Sequence, residues 1–175
     1  MIGGLVALKV DPNIMAKLAG QRMSMIVTGT NGKSTTTRMA ANALRTAYTV
    51  ATNDGGDNMD AGIVSALNQD LDADAICLEV DEMHVPHVMD ALSPTVLVLL
   101  NLSRDQLDRV GEINTIERRL REAVAAHPDT IVVANCDDMM VTSAAYDAKN
   151  VIWVSTGGGW ANDATTSPRN CLLYT

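Results

Sequence analysis

A glycine loop at residues 29–35 is the stretch best suited to chemistry. It reads Gly-Thr-Asn-Gly-Lys-Ser-Thr, follows the apolar run 25–27 and leads into a helical pattern near Lys33. Such a loop turns backbone N–H groups toward a polyphosphate, and the helix dipole adds positive charge. Lys33 would reach the terminal phosphates, and Ser34 would offer its hydroxyl to the Mg²⁺ that a nucleoside triphosphate carries. The sequence therefore predicts a nucleotide-binding loop.

The loop matches a shorter form of the phosphate-loop motif, Gly-Thr-Asn-Gly-Lys-Ser. A full Gly-x4-Gly-Lys-Ser motif would place glycine at position 27, where this chain has Val27. An ordinary turn before a helix is the alternative interpretation. The order of strand, loop, lysine, hydroxyl and helix favours phosphate binding over that alternative.

Carboxylates follow the third predicted strand, in the stretch Glu79-Val80-Asp81-Glu82. Glu79 lies at the end of an apolar run, so we expect it to be partly buried, and a buried carboxylate needs a partner. Mg²⁺ held jointly by Ser34 and Glu79 would be such a partner, and a basic side chain is the alternative. For Asp81 we expect a structural role as the cap of the next helix.

A charged cluster follows the fourth predicted strand, within Asn101–Arg109. Arg104 and Arg109 could contact phosphates, metal-bound water or an acidic substrate. A solvated helix face, with Asp105 and Arg109 paired at i,i+4, is the alternative.

Two further polar groups have weaker chemical signals. After the fifth predicted strand, Asn135 could read an adenine edge and Asp137 a ribose, or Asp137 could instead cap a helix. His84 and His87 have an i,i+3 spacing that suggests zinc, but neither a cysteine nor a third histidine is spaced to complete a site. We interpret both histidines as surface or hinge residues.

Alternating strand and helix patterns must position these groups. Right-handed crossovers between them predict an α/β fold with a doubly wound, mainly parallel sheet flanked by helices, of the P-loop type. Continuously apolar strands indicate a sheet covered on both faces, with ligands at the carboxyl ends of the strands. Strands are predicted at 25–27, 48–52, 75–80, 95–100, 130–134 and 151–154, and helices at 11–18, 33–47, 59–67, 83–92, 115–126 and 137–146.

Composition limits the classes of protein that this chain can represent. Its 175 residues and 47% apolar content suit one domain, predicted at 1–156, with a linker or tail at 157–175. A formal charge of −8 argues against a nucleic-acid surface. Three cysteines indicate reduced thiols in the cytoplasm. No run approaches the ~18 apolar residues of a transmembrane segment, so neither export nor membrane insertion is predicted.

Taken together, these stretches resemble the central ATPase domain of the Mur ligases. Within that family the sequence is most similar to the MurT group of ligase subunits. The resemblance rests on residues 28–35, 52–58, 78–82, 101–109 and 134–138. At Gln106 the amino-acid-adding members usually carry a metal-binding histidine, so that ligand is not carried over.

The resemblance implies ATP-dependent amidation, at the cytoplasmic face of the membrane, of the D-glutamate carboxylate in the lipid II peptide stem. An acyl phosphate would be the activated species, and a glutaminase subunit of the GatD type would supply ammonia. Lys33 and Glu79 would be catalytic, and Ser34 and Glu79 would hold Mg²⁺. The implied nucleotide contacts are Gly29, Thr30, Asn31, Gly32, Lys33, Ser34, Thr35, Asn58 and Asn135.

The end of the sequence departs from the MurT pattern. That group continues into a zinc ribbon and a carboxyl-terminal domain, but residues 167–170 here read Ser-Pro-Arg-Asn where a Cys-Pro-x-Cys knuckle is expected. The zinc ligands are therefore absent, and we expect a fragment or a truncated product. Two rival functions stay open: a nucleotide-binding module without turnover, and a Mur-type ligase that adds an amino acid.

Overall fold

Strands and helices alternate along almost the whole described chain. The structure, a computed structural model, describes residues 2–53, 57–102, 110–157 and 169. The predicted tail therefore falls outside the described residues except for Gly157 and Arg169. The helices are α1 Ile2–Val10, α2 Ile14–Ala19, α3 Lys33–Leu44, α4 Asp60–Gln69, α5 Val85–Leu92, α6 Val110–Ala126 and α7 Met139–Ala145. The strands are β1 Met23–Thr28, β2 Val50–Thr52, β3 Ala75–Glu79, β4 Val96–Leu99, β5 Ile131–Asn135 and β6 Asn150–Val154.

The strands form one parallel sheet. Its six strands lie in the order β2-β3-β1-β4-β5-β6, and every paired strand is parallel to its neighbour. The chain first builds outward from β1 to β2, returns to β3, and then crosses to β4 on the other side. Strand β1 therefore lies at the switch point, where ligands bind in doubly wound sheets. The predicted fold class is confirmed.

Two hydrophobic clusters lie on opposite faces of the sheet. On one face, helices α2, α4, α5, α6 and α7 pack over strand residues such as Ile26, Ile76 and Leu97. On the other face, α3 packs over Ala75 and Cys77. All five residues of β3 are consequently buried, as expected for an apolar strand enclosed on both sides.

The second half of the sheet corrects the expectation that both faces are covered throughout. Register places Val96, Val98, Ile131 and Ile152 on the same face as α3. Val96 and Val98 are only half-buried, while Ile131 and Ile152 are 36% and 54% exposed. Among the described residues α3 is the helix that packs on this face, and it lies over β1, β2 and β3. The α3-side face of β4, β5 and β6 is therefore less covered.

The amino-terminal helix α1 was not predicted. Its sequence, IGGLVALKV, lacks a polar face that would mark an amphipathic helix. It packs on α4 so closely that a Cβ at Gly4 would meet the Ala61 carbonyl oxygen. Tertiary contact, rather than a local pattern, accounts for this helix. Among the described residues there is no helix that is both long and apolar enough to cross a membrane.

Candidate nucleotide-binding site

Two glycines shape the loop between β1 and α3. Gly29 and Gly32 have φ values of 144° and 85°, which favour glycine. A Cβ at Gly29 would lie 2.9 Å from Leu100 Cβ and 3.0 Å from the backbone of Asn101. The loop is therefore pressed against the carboxyl end of β4, where only a residue without a side chain fits.

Asn101 holds the loop from the end of β4. Its main-chain oxygen accepts from Thr30 N at 2.9 Å, and its Oδ1 accepts from Asn31 N at 2.8 Å. Its Nδ2 donates to the Asn31 carbonyl at 2.9 Å. Two amides that the sequence assigned to a phosphate thus donate to Asn101. Asn101 itself had no individual role in the prediction, although its position at a strand end beside the loop was the available signal.

The first turn of α3 supplies the amides that face the loop mouth. Gly32 is the N-cap and makes no side-chain cap, and the first helical bond runs from Thr36 N to Gly32 O at 3.0 Å. The N–H groups of Lys33, Ser34 and Thr35 precede that bond, so they have no acceptor within the helix. With the positive end of the helix dipole, these three amides form a site suited to an anion.

Lys33 folds back over the loop that precedes it. Its Nζ donates to the carbonyls of Gly29 at 2.6 Å and Thr30 at 3.3 Å. The same nitrogen lies 3.5 Å from Oε2 of Glu82, a residue to which the sequence reasoning gave no role. Lys33 thus lies at the loop with its charge satisfied by protein groups, and its contact with the terminal phosphates stays a prediction.

Glu79 lies on the strand next to the loop. Strands β1 and β3 pair with Val27 beside Glu79, which is 3% exposed. Asn53 fixes its backbone, because Oδ1 accepts from Glu79 N and Nδ2 donates to Glu79 O, both at 2.8 Å. Asn58 Nδ2 donates to Glu79 Oε1 at 3.3 Å. The structure thus brings Asn58 and Glu79 together and adds Asn53, which the prediction did not single out.

The second carboxylate oxygen of Glu79 provides a test of metal binding. Oε2 is buried and has no hydrogen-bond partner among the described residues. A buried unpartnered carboxylate oxygen is unfavourable unless a cation completes its environment. A hard divalent cation with oxygen ligands fits this position, and the exposed Ser34 lies at the start of the helix that follows the adjacent strand. The residues predicted to hold Mg²⁺ are therefore chemically suited to it.

At the carboxyl end of β5, the side chain of Asn135 is hydrogen-bonded to other protein groups. Asn135 Nδ2 donates to Leu100 O at 2.8 Å, and Asn135 Oδ1 accepts from Asp137 N at 2.9 Å. The alternative in which Asp137 caps a helix is wrong, because Asp138 is the N-cap of α7 and accepts from Met140 N and Val141 N, while the ribose contact of Asp137 stays a prediction. The aspartate directly before the first helical residue is therefore the one that caps the helix. The adenine contact assigned to Asn135 stays a prediction.

Asp81, after Glu79, also differs from its predicted role as a helix cap. Asp81 Oδ1 accepts from Met83 N and so closes a turn, whereas the N-cap of α5 is His84. Nδ1 of His84 and Nε2 of His87 lie 2.9 and 3.7 Å from the two carboxylate oxygens of Asp60. The described residues contain no group of three or more such ligands placed to hold a metal ion. Arg104, Asp105, Gln106 and Arg109 lie outside the described residues.

The thiol of Cys77 is not a candidate nucleophile. Burial raises the pKa of Cys77 to about 11, and the side chain contacts the Thr37 carbonyl oxygen from within the α3 cluster. At neutral pH this thiol is protonated, and only the thiolate is strongly nucleophilic. Cys77 therefore supplies no glutaminase chemistry.

A parallel sheet with a glycine loop after its central strand defines the P-loop class of α/β proteins, and the lysine and the buried glutamate on adjacent elements fit that class. The sequence narrows the class further, because residues 27–167 match the model of the Mur ligase middle domain. The chain belongs to the Mur ligase family.

Individual relatives agree with this assignment. The chain is 36% identical over 139 residues to a lipid II isoglutaminyl synthase subunit MurT from Streptococcus pneumoniae, and 32% identical over 154 residues to MurT from Staphylococcus aureus. These matches cover 77% and 86% of this chain but 31% and 35% of the relatives. A MurF ligase from Thermotoga maritima, solved with ADP, shares the fold with a TM-score of 0.68 at 23% identity, over 86% of this chain and 37% of that one. The chain thus spans about a third of the curated relatives that it matches.

Proposed function

We propose that this chain binds ATP with Mg²⁺ in the loop at residues 29–35. The observation that carries the proposal is the buried, unpartnered Oε2 of Glu79 on the strand beside that loop. Lys33 and the first-turn amides of α3 would hold the phosphates, while Ser34 and Glu79 would hold Mg²⁺. The metal would neutralise phosphate charge there. Thr30, Asn31, Asn58 and Asn135 would complete the surroundings of the nucleotide.

The nucleotide would serve to activate a carboxylate. A carboxylate is a poor electrophile at neutral pH, so its oxygen first takes the γ-phosphoryl group of ATP and ADP leaves. Ammonia then attacks the acyl carbon, phosphate departs, and the amide forms. Lys33 would stabilise the charge that develops on the transferred phosphoryl group. Glu79 would act by fixing the metal beside the same group.

We propose the D-glutamate carboxylate of the lipid II peptide stem as the substrate. The support is sequence identity of 36% and 32% to two proteins named as MurT subunits of lipid II isoglutaminyl synthase. A glutaminase subunit of the GatD type would supply ammonia, and the reaction would take place at the cytoplasmic face of the membrane. The buried Cys77 is consistent with glutamine hydrolysis on another subunit.

Calorimetric titration of the chain with ATP and Mg²⁺ tests the nucleotide site. Lys33→Ala removes the cation of the loop, so we expect binding to become undetectable. Lys17→Ala is the matched control, because Lys17 is exposed on α2 and pairs with Asp11 away from the loop. Equal affinity of the Lys33→Ala variant and the wild type would contradict the assignment.

Amidation of lipid II tests the ligase role. The chain is incubated with lipid II, ATP, glutamine and a glutaminase subunit, and amidated product is measured by mass spectrometry. Product that requires both the glutaminase and glutamine supports the proposal. Incorporation of a free amino acid instead indicates the amino-acid-adding type of ligase. Nucleotide binding without any product indicates a binding module.

A further inference from the structure

A second buried carboxylate, Glu82, lies at the phosphate loop. It is 8% exposed, in the turn between β3 and α5. The backbone on both sides is fixed, because Val80 N donates to Val27 O at 3.0 Å and His84 N donates to Asp81 O at 2.9 Å. The turn therefore holds the Glu82 carboxylate in a defined place.

Glu82 and Lys33 form an unusually enclosed ion pair. The side chains of Lys33 and Glu82 are 13% and 10% exposed, with Nζ and Oε2 3.5 Å apart. In six other ion pairs among the described residues, at least one side chain is 34% or more exposed. An enclosed pair is screened little by water, so its effect on Lys33 is larger than that of a surface pair.

The pair belongs to a lysine whose donors are all directed at protein. An ammonium group has three N–H donors. Two are used by the carbonyls of Gly29 and Thr30, and Glu82 attracts the remaining side of the group. Lys33 must leave some of these partners to reach a phosphate. An interaction made only in the empty protein lowers ligand affinity, because the ligand must offset its loss.

The charges around Lys33 make this loss of affinity depend on whether a divalent cation is present. Glu79 and Glu82 are two buried carboxylates at and just after the carboxyl end of β3, and Lys33 is the cation paired with Glu82. When Lys33 moves to a phosphate, Glu82 becomes a buried carboxylate without its cation, next to an anionic ligand. Removing the partner of a buried charge is strongly unfavourable. A divalent cation that arrives with the nucleotide offsets part of this repulsion.

We propose that Glu82 is the counter-ion that holds Lys33 in the empty loop, and that it sets both the nucleotide affinity and the Mg²⁺ requirement of the site. Glu82 acts through Lys33 and is therefore a positioning residue. The proposal rests on the function proposed above, and it predicts the opposite of the usual effect of a substitution at a binding site. Removing this charge should strengthen nucleotide binding.

The test is calorimetric titration of the full chain with ATP, once with Mg²⁺ and once with EDTA. For Glu82→Gln we expect the dissociation constant in EDTA to fall about tenfold and that in Mg²⁺ to fall less. The ratio of the dissociation constant in EDTA to that in Mg²⁺ therefore decreases. Asp81→Asn is the matched control, because it removes the neighbouring charge, which bonds Met83 N rather than Lys33. We expect its two constants to stay within about twofold of the wild type.

The outcomes separate the two proposals. If the wild-type chain does not bind ATP, the proposed function fails. If the wild type binds but folded Glu82→Gln does not bind ATP more tightly in EDTA, or its ratio of the two constants is unchanged, only the role of Glu82 is overturned. Circular dichroism establishes whether the variant is folded. Should Glu82→Gln not fold, Glu82→Asp keeps the charge at a shorter reach and should give a smaller gain in the same direction; an unchanged constant in that folded variant overturns the proposal.

Discussion

The two ends of strand β3 hold carboxylates in opposite situations. At the amino end, Asp74 is exposed and accepts from both Thr49 N, at 3.0 Å, and Thr49 Oγ1, at 2.7 Å. At the carboxyl end, Glu79 is 3% exposed, and in the part of the chain that the structure describes its Oε2 has no hydrogen-bond partner. The carboxylate that water can reach is well bonded by protein, whereas the one shielded from water is not.

This difference separates stability from ligand binding along a single strand. Around Asp74 the bonds join β2 to β3, since Asp74 N donates to Thr49 Oγ1 and Ala75 N donates to Thr49 O. Around Glu79 a buried carboxylate oxygen is unsatisfied among the described residues, and a bound ion is one of the physical explanations for such a group. The carboxyl edge of a doubly wound sheet is also where ligands bind. Substitutions at the two ends should therefore change different measured quantities.

Glu79→Gln should give the largest effect and the sharpest form of this comparison. In the wild type we expect Mg²⁺ to tighten ATP binding; in the variant that gain should disappear, which raises the dissociation constant in Mg²⁺ by about tenfold or more. The empty protein should at the same time become more stable by about 1 kcal/mol, because a buried unpaired charge is removed. Titration calorimetry and urea unfolding measure the two effects.

Asp57→Asn is the matched control for the loss of a negative charge, since Asp57 is exposed and precedes Asn58 by one residue. It should alter neither quantity measurably. If Glu79→Gln instead lowers the stability of the empty protein and leaves the Mg²⁺ gain intact, Glu79 is a structural residue and the distinction between the two ends fails.

Asn101→Ala should give an intermediate effect. The variant loses the two side-chain bonds to Asn31 that hold the phosphate loop. We expect ATP affinity to fall about threefold to tenfold, and the free energy of unfolding to fall by about 1–2 kcal/mol. Titration calorimetry and urea unfolding again measure both.

Asn150→Ala tests the same substitution at the opposite edge of the sheet. Asn150 begins β6 and donates to the Pro128 carbonyl at 3.1 Å. Its removal should lower stability slightly and leave ATP affinity unchanged. A comparable loss of affinity in both asparagine variants would mean that general destabilisation, rather than the loop contact, weakens binding.

The sequence predicted the parallel sheet because apolar runs and helical spacing are local signals. Every strand was anticipated to within about three residues, and Lys33 and Glu79 were expected at the carboxyl ends of neighbouring strands. Helix α1 was missed, since its stability comes from packing on α4. The less covered face of β4 was missed as well, because an apolar strand does not reveal how many helices pack against it.

At the site, the sequence identified residue types but not their partners. Asn101 and Glu82 stand in stretches already recognised as chemically interesting, yet their contacts with Asn31 and Lys33 cross between strand ends. The choice of Asp138 over Asp137 as a helix cap depends on a boundary shift of one or two residues. Such distinctions need the turn geometry, which no periodic pattern encodes.

Asp74→Asn should give the smallest effect, and that effect should be on the free energy of unfolding alone. Hydrogen bonds from the Thr49 side chain and backbone hold the pKa of Asp74 below its ordinary value of 3.8. A carboxyl group whose pKa is lower in the folded state stabilises the protein when the pH is above its pKa in the unfolded state. This contribution is lost as the pH falls through the pKa of the folded state. The variant should therefore be less stable than the wild type at pH near 7, and the difference should shrink below the ordinary value of 3.8. Urea unfolding at both pH values measures the shrinkage, with the exposed Asp72 changed to Asn as control. Since the bonds lie at the amino edge, ATP affinity should stay unchanged, and a loss of affinity would show that the two ends of β3 are coupled.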